Sequence, residues 1–168
     1  MTALNSVQEM FKVVEILFVC TGNTCRSPMA EGLFNVYAEK HGIDAHAFSR
    51  GLFAEGGPAS KNAVTAAAEF GADISGHVSR SLERADIERA ARVYCMGASH
   101  LATIREMFPE FSEKVGLLAP GGGIADPYGM DLESYRKTAM QIAENVVRIA
   151  NSLKNDAGNE ASGDKNGD

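Results

Sequence analysis

Two cysteines, an arginine and a serine lie close together near the start of the chain, in the stretch CTGNTCRS at residues 20–27. Three chemistries fit this pattern: a disulfide, half of a metal site, or a nucleophilic thiol in an anion-binding loop. Arg26 follows Cys20 by six positions, a spacing that lets the loop curl around one tetrahedral anion. Backbone N–H groups can converge there as a nest, and the arginine fork can bind two anion oxygens. Gly22 permits the unusual dihedral angles that such a loop needs, and Asn23 tolerates left-handed ones.

The residues after this loop favour the nucleophilic thiol. Ser27 is a predicted N-cap, and Pro28 suits the first position of a helix. The N-terminus of that helix adds partial positive charge where the anion would bind. Together with Arg26 it favours the thiolate form of Cys20, and Ser27 can hydrogen-bond the sulfur. A thiolate beneath a bound phosphate is placed for in-line attack.

Phosphoryl transfer to a thiolate also needs a proton donor for the leaving group. The candidate is Asp126, in the stretch DPYG after the last predicted strand. Pro127 restricts Asp126 to extended conformations, and Tyr128 can form an aromatic wall of a substrate slot. Taken alone, Asp-Pro-Tyr-Gly is equally compatible with an ordinary turn.

The predicted helices and strands explain how these distant residues can meet. Residues 13–20 form a near-continuous apolar run, typical of a strand buried on both faces of a parallel sheet. The alternating pattern predicts an α/β fold, a three-layer αβα sandwich with a four-stranded parallel sheet. Ligands of such folds bind beyond the carboxyl ends of the strands, where the first strand delivers Cys20. Further strands are predicted at 44–51, 91–96 and 114–119, and helices at 28–41, 58–70, 82–89, 99–107 and 131–153.

The composition narrows the classes of partner. The chain has 168 residues, 45% of them hydrophobic, which is enough for one globular domain. Its net charge of −6 argues against nucleic acid or an anionic membrane as the main partner. No apolar run reaches the about 18 residues of a membrane span, and no secretory signal is recognisable. With only three cysteines, these features predict the reducing cytoplasm.

We expect three segments along the chain. A loose N-terminal extension occupies 1–12, one domain occupies 13–153, and a disordered acidic tail occupies 154–168, where apolar patterning is absent. The expected assembly is a monomer or weak dimer.

The stretch VCTGNTCRSPMAEGLF, followed far downstream by DPYG, resembles the low-molecular-weight protein tyrosine phosphatase family. The resemblance covers about residues 13–153 and includes the stretches FSRG and GADISGHVSR. It implies that Cys20 is the nucleophile and Arg26 the phosphate clamp. It also implies that Asp126 is the general acid and then the base that activates water. The implied partners are phosphorylated protein substrates.

The resemblance assigns supporting roles to further residues. Asn23 and Ser49 shape the loop, Ser27 assists the thiolate, and His77 supports the loop through hydrogen bonds. FSRG departs from the Ser-Ala-Gly usual in the family, which leaves Arg50 without a role. The complete implied set of phosphate-binding and loop-shaping residues is Thr21, Gly22, Asn23, Thr24, Cys25, Ser27, Ser49 and His77.

Cys25 has three interpretations: a packing residue, a metal ligand, or the partner of Cys20 in a reversible disulfide. No further ligands lie at a spacing suited to a metal, so we expect neither a metal nor another cofactor. In the family that the chain resembles, the paired cysteine protects the nucleophile from irreversible oxidation, so the resemblance implies that Cys25 is a redox guard. Cys95 lies in the third predicted strand and is interpreted as a buried apolar residue.

Thr24 bears on the choice of substrate. Tyrosine phosphatases of the family usually have Ile, Leu or Val at this position, whereas threonine resembles the bacterial protein-arginine phosphatase branch. A hydroxyl can accept a hydrogen bond from a guanidinium or position water, whereas an aliphatic group offers a phenol ring only apolar contact. Tyr128 suits both substrates, because an aromatic wall can stack on a phenol ring or a guanidinium plane. The sequence therefore places phosphoarginine slightly ahead of phosphotyrosine.

Two other function classes remain as alternatives. An arsenate reductase of the same fold needs a relay of two further cysteines, and after Cys95 the chain has no cysteine. A non-catalytic phosphate-binding module would not need Cys20, Arg26 and Asp126 together. A nucleotide-binding P-loop is excluded, since no Gly-Lys-Ser/Thr follows the first strand.

Overall fold

The computed structural model describes residues 13–162, with side chains as far as residue 159. One sheet contains four parallel strands in the order β2-β1-β3-β4. The strands are β1 (Val14–Cys20), β2 (Ala45–Gly51), β3 (Arg92–Cys95) and β4 (Val115–Leu117). The α-helices in this range are α1 (Arg26–Lys40), α2 (Lys61–Glu69), α3 (Arg84–Arg89), α4 (Ala98–Met107) and α5 (Leu132–Ser162). The expected N-terminal extension, residues 1–12, lies outside the described residues.

Strand β1 is the centre of the fold because it pairs on both sides, with β2 and with β3. Its side chains alternate between two apolar clusters. Ile16 and Phe18 pack with α1, α2 and α5 on one face of the sheet. Leu17 and Val19 pack with α3 and α4 on the other. The predicted three-layer sandwich with a four-stranded parallel sheet is confirmed, and the continuous apolar run reflects burial on both faces.

The start of α1 differs from the sequence prediction. The helix begins at Arg26 with Cys25 as the N-cap residue, and no side chain caps it. Ser27 therefore lies in the first turn and is not the N-cap. Its hydroxyl lies 2.8 Å from the Cys20 sulfur, so this side chain contacts the loop and does not cap the helix.

The last helix is longer than predicted. Helix α5 continues to Ser162, so residues 154–162, which the sequence predicts to be disordered, are helical. The apolar stripe stops near Leu153, and residues 154–159 are exposed. Extending a nucleated helix fixes only one residue per new hydrogen bond, and no proline interrupts this segment. Periodicity of apolar residues carries no information about such an extension.

The remaining elements lie close to the predicted ranges. Helix α2 begins at Lys61 and not at residue 58, because Ser60 is its N-cap and accepts a hydrogen bond from the Ala63 N–H at 3.4 Å. A 3₁₀ helix at Pro109–Lys114 was not predicted. None of the helices in residues 13–162 is long and apolar enough to cross a membrane.

Candidate active site

Asn23 organises the loop between β1 and α1. It adopts the left-handed conformation, with φ of 56°, whereas Gly22 does not. Its side chain is fully buried and donates from Nδ2 to Ser27 Oγ at 2.8 Å and to Ser49 Oγ at 2.9 Å. Its backbone N–H donates to Cys20 Sγ at 3.3 Å. One residue, through its backbone and its side chain, thus connects the thiol, the first turn of α1 and strand β2.

The segment before α3 supports the same asparagine from the opposite side. The Arg80 N–H donates to Asn23 Oδ1 at 3.0 Å, and His77 Nε2 donates to the Asn23 carbonyl at 2.8 Å. Glu31 accepts a hydrogen bond from Ser49 Oγ at 2.8 Å and lies 3.7 Å from His77 Nδ1. The structure brings Ser49 and His77 to the loop, where the family resemblance implied them. Glu31 and the Arg80 backbone were not anticipated.

Gly51 allows the end of β2 to approach the loop closely. A Cβ at this position would lie 2.7 Å from the Thr21 carbonyl oxygen and 3.0 Å from both Cβ and N of Asn23. Two of these three atoms are backbone, which cannot move aside as a flexible side chain can. The Phe53 N–H then donates to the Thr21 carbonyl at 2.9 Å. A glycine is therefore required here by the contact between two backbone segments.

Arg50 has a structural role that the sequence did not reveal. Its Nη1 donates to the Ser49 carbonyl at 2.8 Å, and its Nε donates to Asp86 Oδ2 at 3.1 Å. Asp86 is buried and also accepts from the Glu83 N–H at 2.9 Å. Arg50 thus braces the backbone of Ser49 against α3.

The Cys20 thiol lies at the floor of a cleft of about 350 Å³. Its side chain is only 3% exposed, and its sulfur lies 2.8 Å from Ser27 Oγ. Hydrogen bonds from the Ser27 hydroxyl and the Asn23 N–H can both stabilise negative charge on this sulfur. The cleft is lined by Cys20, Thr21, Gly22, Thr24, Cys25, Arg26, Phe53, Glu55, Gly57, Ser79, Asp126 and Tyr128.

Arg26 and Asp126 meet across the cleft, although a hundred positions separate them in the chain. Arg26 Nη2 lies 3.4 Å from Asp126 Oδ2, and Arg26 Nη1 donates to the Ile124 carbonyl at 3.0 Å. The Asp126 side chain remains 53% exposed, and its Oδ1 accepts from the Tyr128 N–H at 3.2 Å. The carboxylate is therefore open to the cleft, as proton transfer to a bound group requires.

Two aromatic rings stand at the mouth of the cleft. Phe53 and Tyr128 are 76% and 74% exposed, and both line the opening. Tyr128 occupies the wall position expected from the sequence, whereas Phe53 was not anticipated. The exposed carboxylate of Glu55 also lines the cleft. No local sequence pattern could have identified Phe53 or Glu55, because a loop after β2 brings them to the site.

Cys25 is buried beneath the loop. Its sulfur lies 3.3 Å from the Tyr135 hydroxyl and 3.4 Å from Ser60 Oγ. Burial and the contact with Cys25 raise the pKa of Tyr135 to about 12, so the phenol stays protonated and can donate to the sulfur. Cys20, Cys25 and Cys95 are all free thiols. Among residues 13–162, no group of His, Cys, Asp and Glu is arranged to hold a metal ion.

Cys95 lies apart from the cleft. It is fully buried in β3, within the apolar cluster that covers the other face of the sheet. Burial raises the pKa of its thiol to about 12, so it is protonated and unreactive at neutral pH. This environment agrees with its interpretation as a buried apolar residue.

His100 is a further residue that the sequence did not single out. Its Nε2 lies 2.8 Å from Thr21 Oγ1, directly after Cys20, and its ring is only 4% exposed. Burial lowers the pKa of His100, and the charge of Arg26 lowers it further, while Asp126 acts in the opposite direction. A buried neutral imidazole therefore lies beside the loop.

The fold and this cleft define a class of protein that the comparison with known families identifies. Residues 15–159 match the family described as low molecular weight phosphotyrosine protein phosphatase. The chain belongs to this family and is a cysteine-based protein phosphatase.

Individual relatives include both arginine and tyrosine phosphatases. The protein-arginine-phosphatase of Bacillus subtilis (strain 168) is 37% identical over 85% of this chain and 99% of its own length. A low molecular weight protein tyrosine phosphatase from T. tengcongensis has a crystal structure that matches with a TM-score of 0.80 and 42% identity, covering 83% of this chain and 99% of that one. A solved YwlE arginine phosphatase is 37% identical with a TM-score of 0.80, covering 84% of this chain and 96% of that one. It is a cysteine-to-serine mutant whose active-site serine is phosphorylated.

Proposed function

We propose that this protein hydrolyses phosphorylated side chains of proteins through a cysteinyl-phosphate at Cys20, and that phosphoarginine is preferred over phosphotyrosine. The observation that carries the proposal is the cleft with Cys20 at its floor and the Arg26–Asp126 pair across it. In the first step, the Cys20 thiolate attacks phosphorus while the bond from phosphorus to the substrate nitrogen or oxygen breaks. Asp126 donates a proton to that departing atom, and Arg26 with the loop N–H groups holds the phosphoryl oxygens.

The second step releases phosphate. Asp126, now a carboxylate, takes a proton from water, whose oxygen attacks phosphorus while the S–P bond breaks. The Ser27 hydroxyl, 2.8 Å from Cys20 Sγ, stabilises the thiolate that leaves. The phosphorylated active-site serine in the cysteine-to-serine mutant of the arginine phosphatase supports a covalent intermediate at Cys20.

Charge and polarity around the cleft support the preference for phosphoarginine. Thr24 lines the cleft, at the position where the family resemblance implies that tyrosine phosphatases usually carry an aliphatic side chain. Glu55 places a carboxylate at the opening, which attracts a guanidinium but not a neutral phenol. Tyr128 can stack on either group. The arginine phosphatases among the relatives point the same way.

Substitution of Thr24 and Glu55 tests the substrate preference. We expect Thr24→Ile to shift the ratio of kcat/KM for phosphoarginine over phosphotyrosine peptides toward phosphotyrosine by about tenfold or more, since a site that hydrogen-bonds its substrate discriminates strongly. Glu55→Gln should lower kcat/KM for phosphoarginine peptides but not for phosphotyrosine peptides. High salt should diminish the difference in kcat/KM between this variant and the wild type on phosphoarginine peptides. Thr65→Ile, on the exposed surface of α2, is the matched control. An unchanged ratio in Thr24→Ile would refute the role of this hydroxyl.

Cys25 is proposed as the redox guard of Cys20. Peroxide converts the Cys20 thiolate to a sulfenic acid, and the Cys25 thiolate then displaces hydroxide to form the disulfide. Without Cys25, a second equivalent of peroxide oxidises the sulfenic acid to a sulfinic acid, which dithiothreitol does not reduce. We therefore expect the wild type to regain activity with dithiothreitol after excess peroxide, whereas Cys25→Ser loses activity permanently. Cys95→Ala, at a buried thiol outside the cleft, should recover like the wild type. Equal recovery of Cys25→Ser would show that the guard is not needed.

The proposed compartment and assembly are those predicted from the sequence. Phosphorylated proteins in the cytoplasm are the proposed substrates, acted on by a monomer or weak dimer. Burial of Cys95 on the other face of the sheet argues against a thiol relay of the arsenate-reductase kind.

A further inference from the structure

The contact between Thr21 and His100 joins two parts of the fold at the edge of the cleft. Thr21 is the first residue after Cys20, is exposed, and lines the cleft. Its Oγ1 lies 2.8 Å from Nε2 of His100, which is in the first turn of α4. His100 is 4% exposed, and its Nδ1 has no hydrogen-bond partner among the described residues.

The unpartnered Nδ1 determines which ring nitrogen carries the hydrogen. A neutral imidazole has one N–H donor and one lone-pair acceptor. A buried N–H without an acceptor is rarer and more costly than an unfilled lone pair. The hydrogen therefore resides on Nε2, and His100 donates to Thr21 Oγ1. Because the threonine oxygen is then an acceptor from His100, its own hydrogen is free to point into the cleft.

The charges facing His100 keep its ring in this neutral form. Arg26 approaches from α1 and Asp126 from the loop after β4, and burial together with Arg26 lowers the pKa of the ring. Protonation would also create a second buried N–H, at Nδ1, that finds no acceptor. The neutral tautomer with hydrogen on Nε2 is thus the one that the surroundings stabilise.

We propose that His100 is a positioning residue that holds the Thr21 hydroxyl as a hydrogen-bond donor to a phosphoryl oxygen above Cys20. The inference rests on the proposed function only in taking a phosphoryl group as the occupant of the cleft. His100 itself does not touch the substrate; it acts through Thr21. It adds a donor from a side chain to the donors that the loop backbone supplies.

Binding of inorganic phosphate, measured by calorimetry, tests the proposal without requiring turnover. We expect His100→Leu and Thr21→Val each to weaken phosphate binding by about tenfold to a hundredfold, the effect of one hydrogen bond to a charged group. The double variant should bind no more weakly than Thr21→Val alone, because both changes remove the same donor. His100→Gln, which keeps an N–H at similar reach, should restore most of the affinity. His46→Leu, at an exposed histidine of β2, is the matched control.

Two further readouts separate positioning from a merely structural role. Nitrogen-15 chemical shifts of the ring should report hydrogen on Nε2, and thermal unfolding should show whether each variant remains folded. Additive losses in the double variant, no rescue by His100→Gln, or hydrogen on Nδ1 would each overturn the proposal. Turnover of an aryl phosphate by the wild type tests the proposed function separately. If His100 and Thr21 are coupled in phosphate binding but the wild type shows no turnover, only the enzymatic proposal is refuted. If the wild type shows turnover but the two residues are not coupled, only the role of His100 is refuted.

Discussion

Replacing Cys20 with serine is expected to lower kcat on a chromogenic aryl phosphate by at least about 10⁴-fold. A serine hydroxyl remains protonated at neutral pH and is a far weaker nucleophile than a thiolate. The shape of the loop should persist, because the Asn23 N–H and Ser27 Oγ can hydrogen-bond an oxygen in place of the sulfur. Turnover and thermal unfolding of the same preparation distinguish lost chemistry from lost structure.

Cys95→Ala is the matched cysteine control for this experiment. Cys95 is fully buried on the other face of the sheet, so its truncation should cost about 1 kcal/mol of stability and leave kcat unchanged. Full activity in Cys20→Ser would eliminate a cysteinyl-phosphate mechanism.

Replacing Asp126 with asparagine should slow turnover by about 10²- to 10³-fold for substrates with poor leaving groups. An amide cannot supply the proton that a departing alkoxide, phenolate or guanidine nitrogen needs. A nitrophenolate leaves without one, so its release should slow far less. The measurement is the slope of log kcat/KM against the pKa of the leaving group, because kcat/KM reports the first step alone; this slope should become steeper in the variant.

Asp73→Asn provides the control, since Asp73 is an exposed carboxylate that accepts hydrogen bonds from Ser75 in a turn. The dependence of the rate on the pKa of the leaving group should have the same slope in Asp73→Asn as in the wild type. If Asp126→Asn lowered kcat/KM equally for every substrate, the residue would act in the first step through Arg26, 3.4 Å away, and not as the general acid.

The sequence predicted the part of the site whose geometry is local or imposed by topology. Cys20, Asn23 and Arg26 lie in one short loop, so their spacing constrains their positions directly. Asp126 is distant in sequence, but parallel strands deliver their following loops to the same edge of the sheet. That rule was enough to predict that the loops after β1 and β4 meet.

The features that sequence did not predict depend on contacts between distant segments. Glu31, on α1, contacts Ser49 of β2 and His77 of the segment before α3. Its role can be recognised only in the folded structure, where these three elements meet. His100 reaches Thr21 from α4 through a single contact at 2.8 Å, which leaves no periodic signal. Ser27 carried an N-cap signal, yet the competing hydrogen bonds to Asn23 and Cys20 place it inside the helix.

The dense hydrogen bonding of Asn23 has a consequence for the thermodynamics of ligand binding. The loop is held by partners from α1, β2 and the segment before α3, all of which are parts of the folded chain itself. The conformational entropy lost in ordering the loop is therefore lost when the chain folds and not when the ligand arrives. Binding of a phosphoryl group is therefore not weakened by a cost of ordering the loop, as in any preorganised receptor.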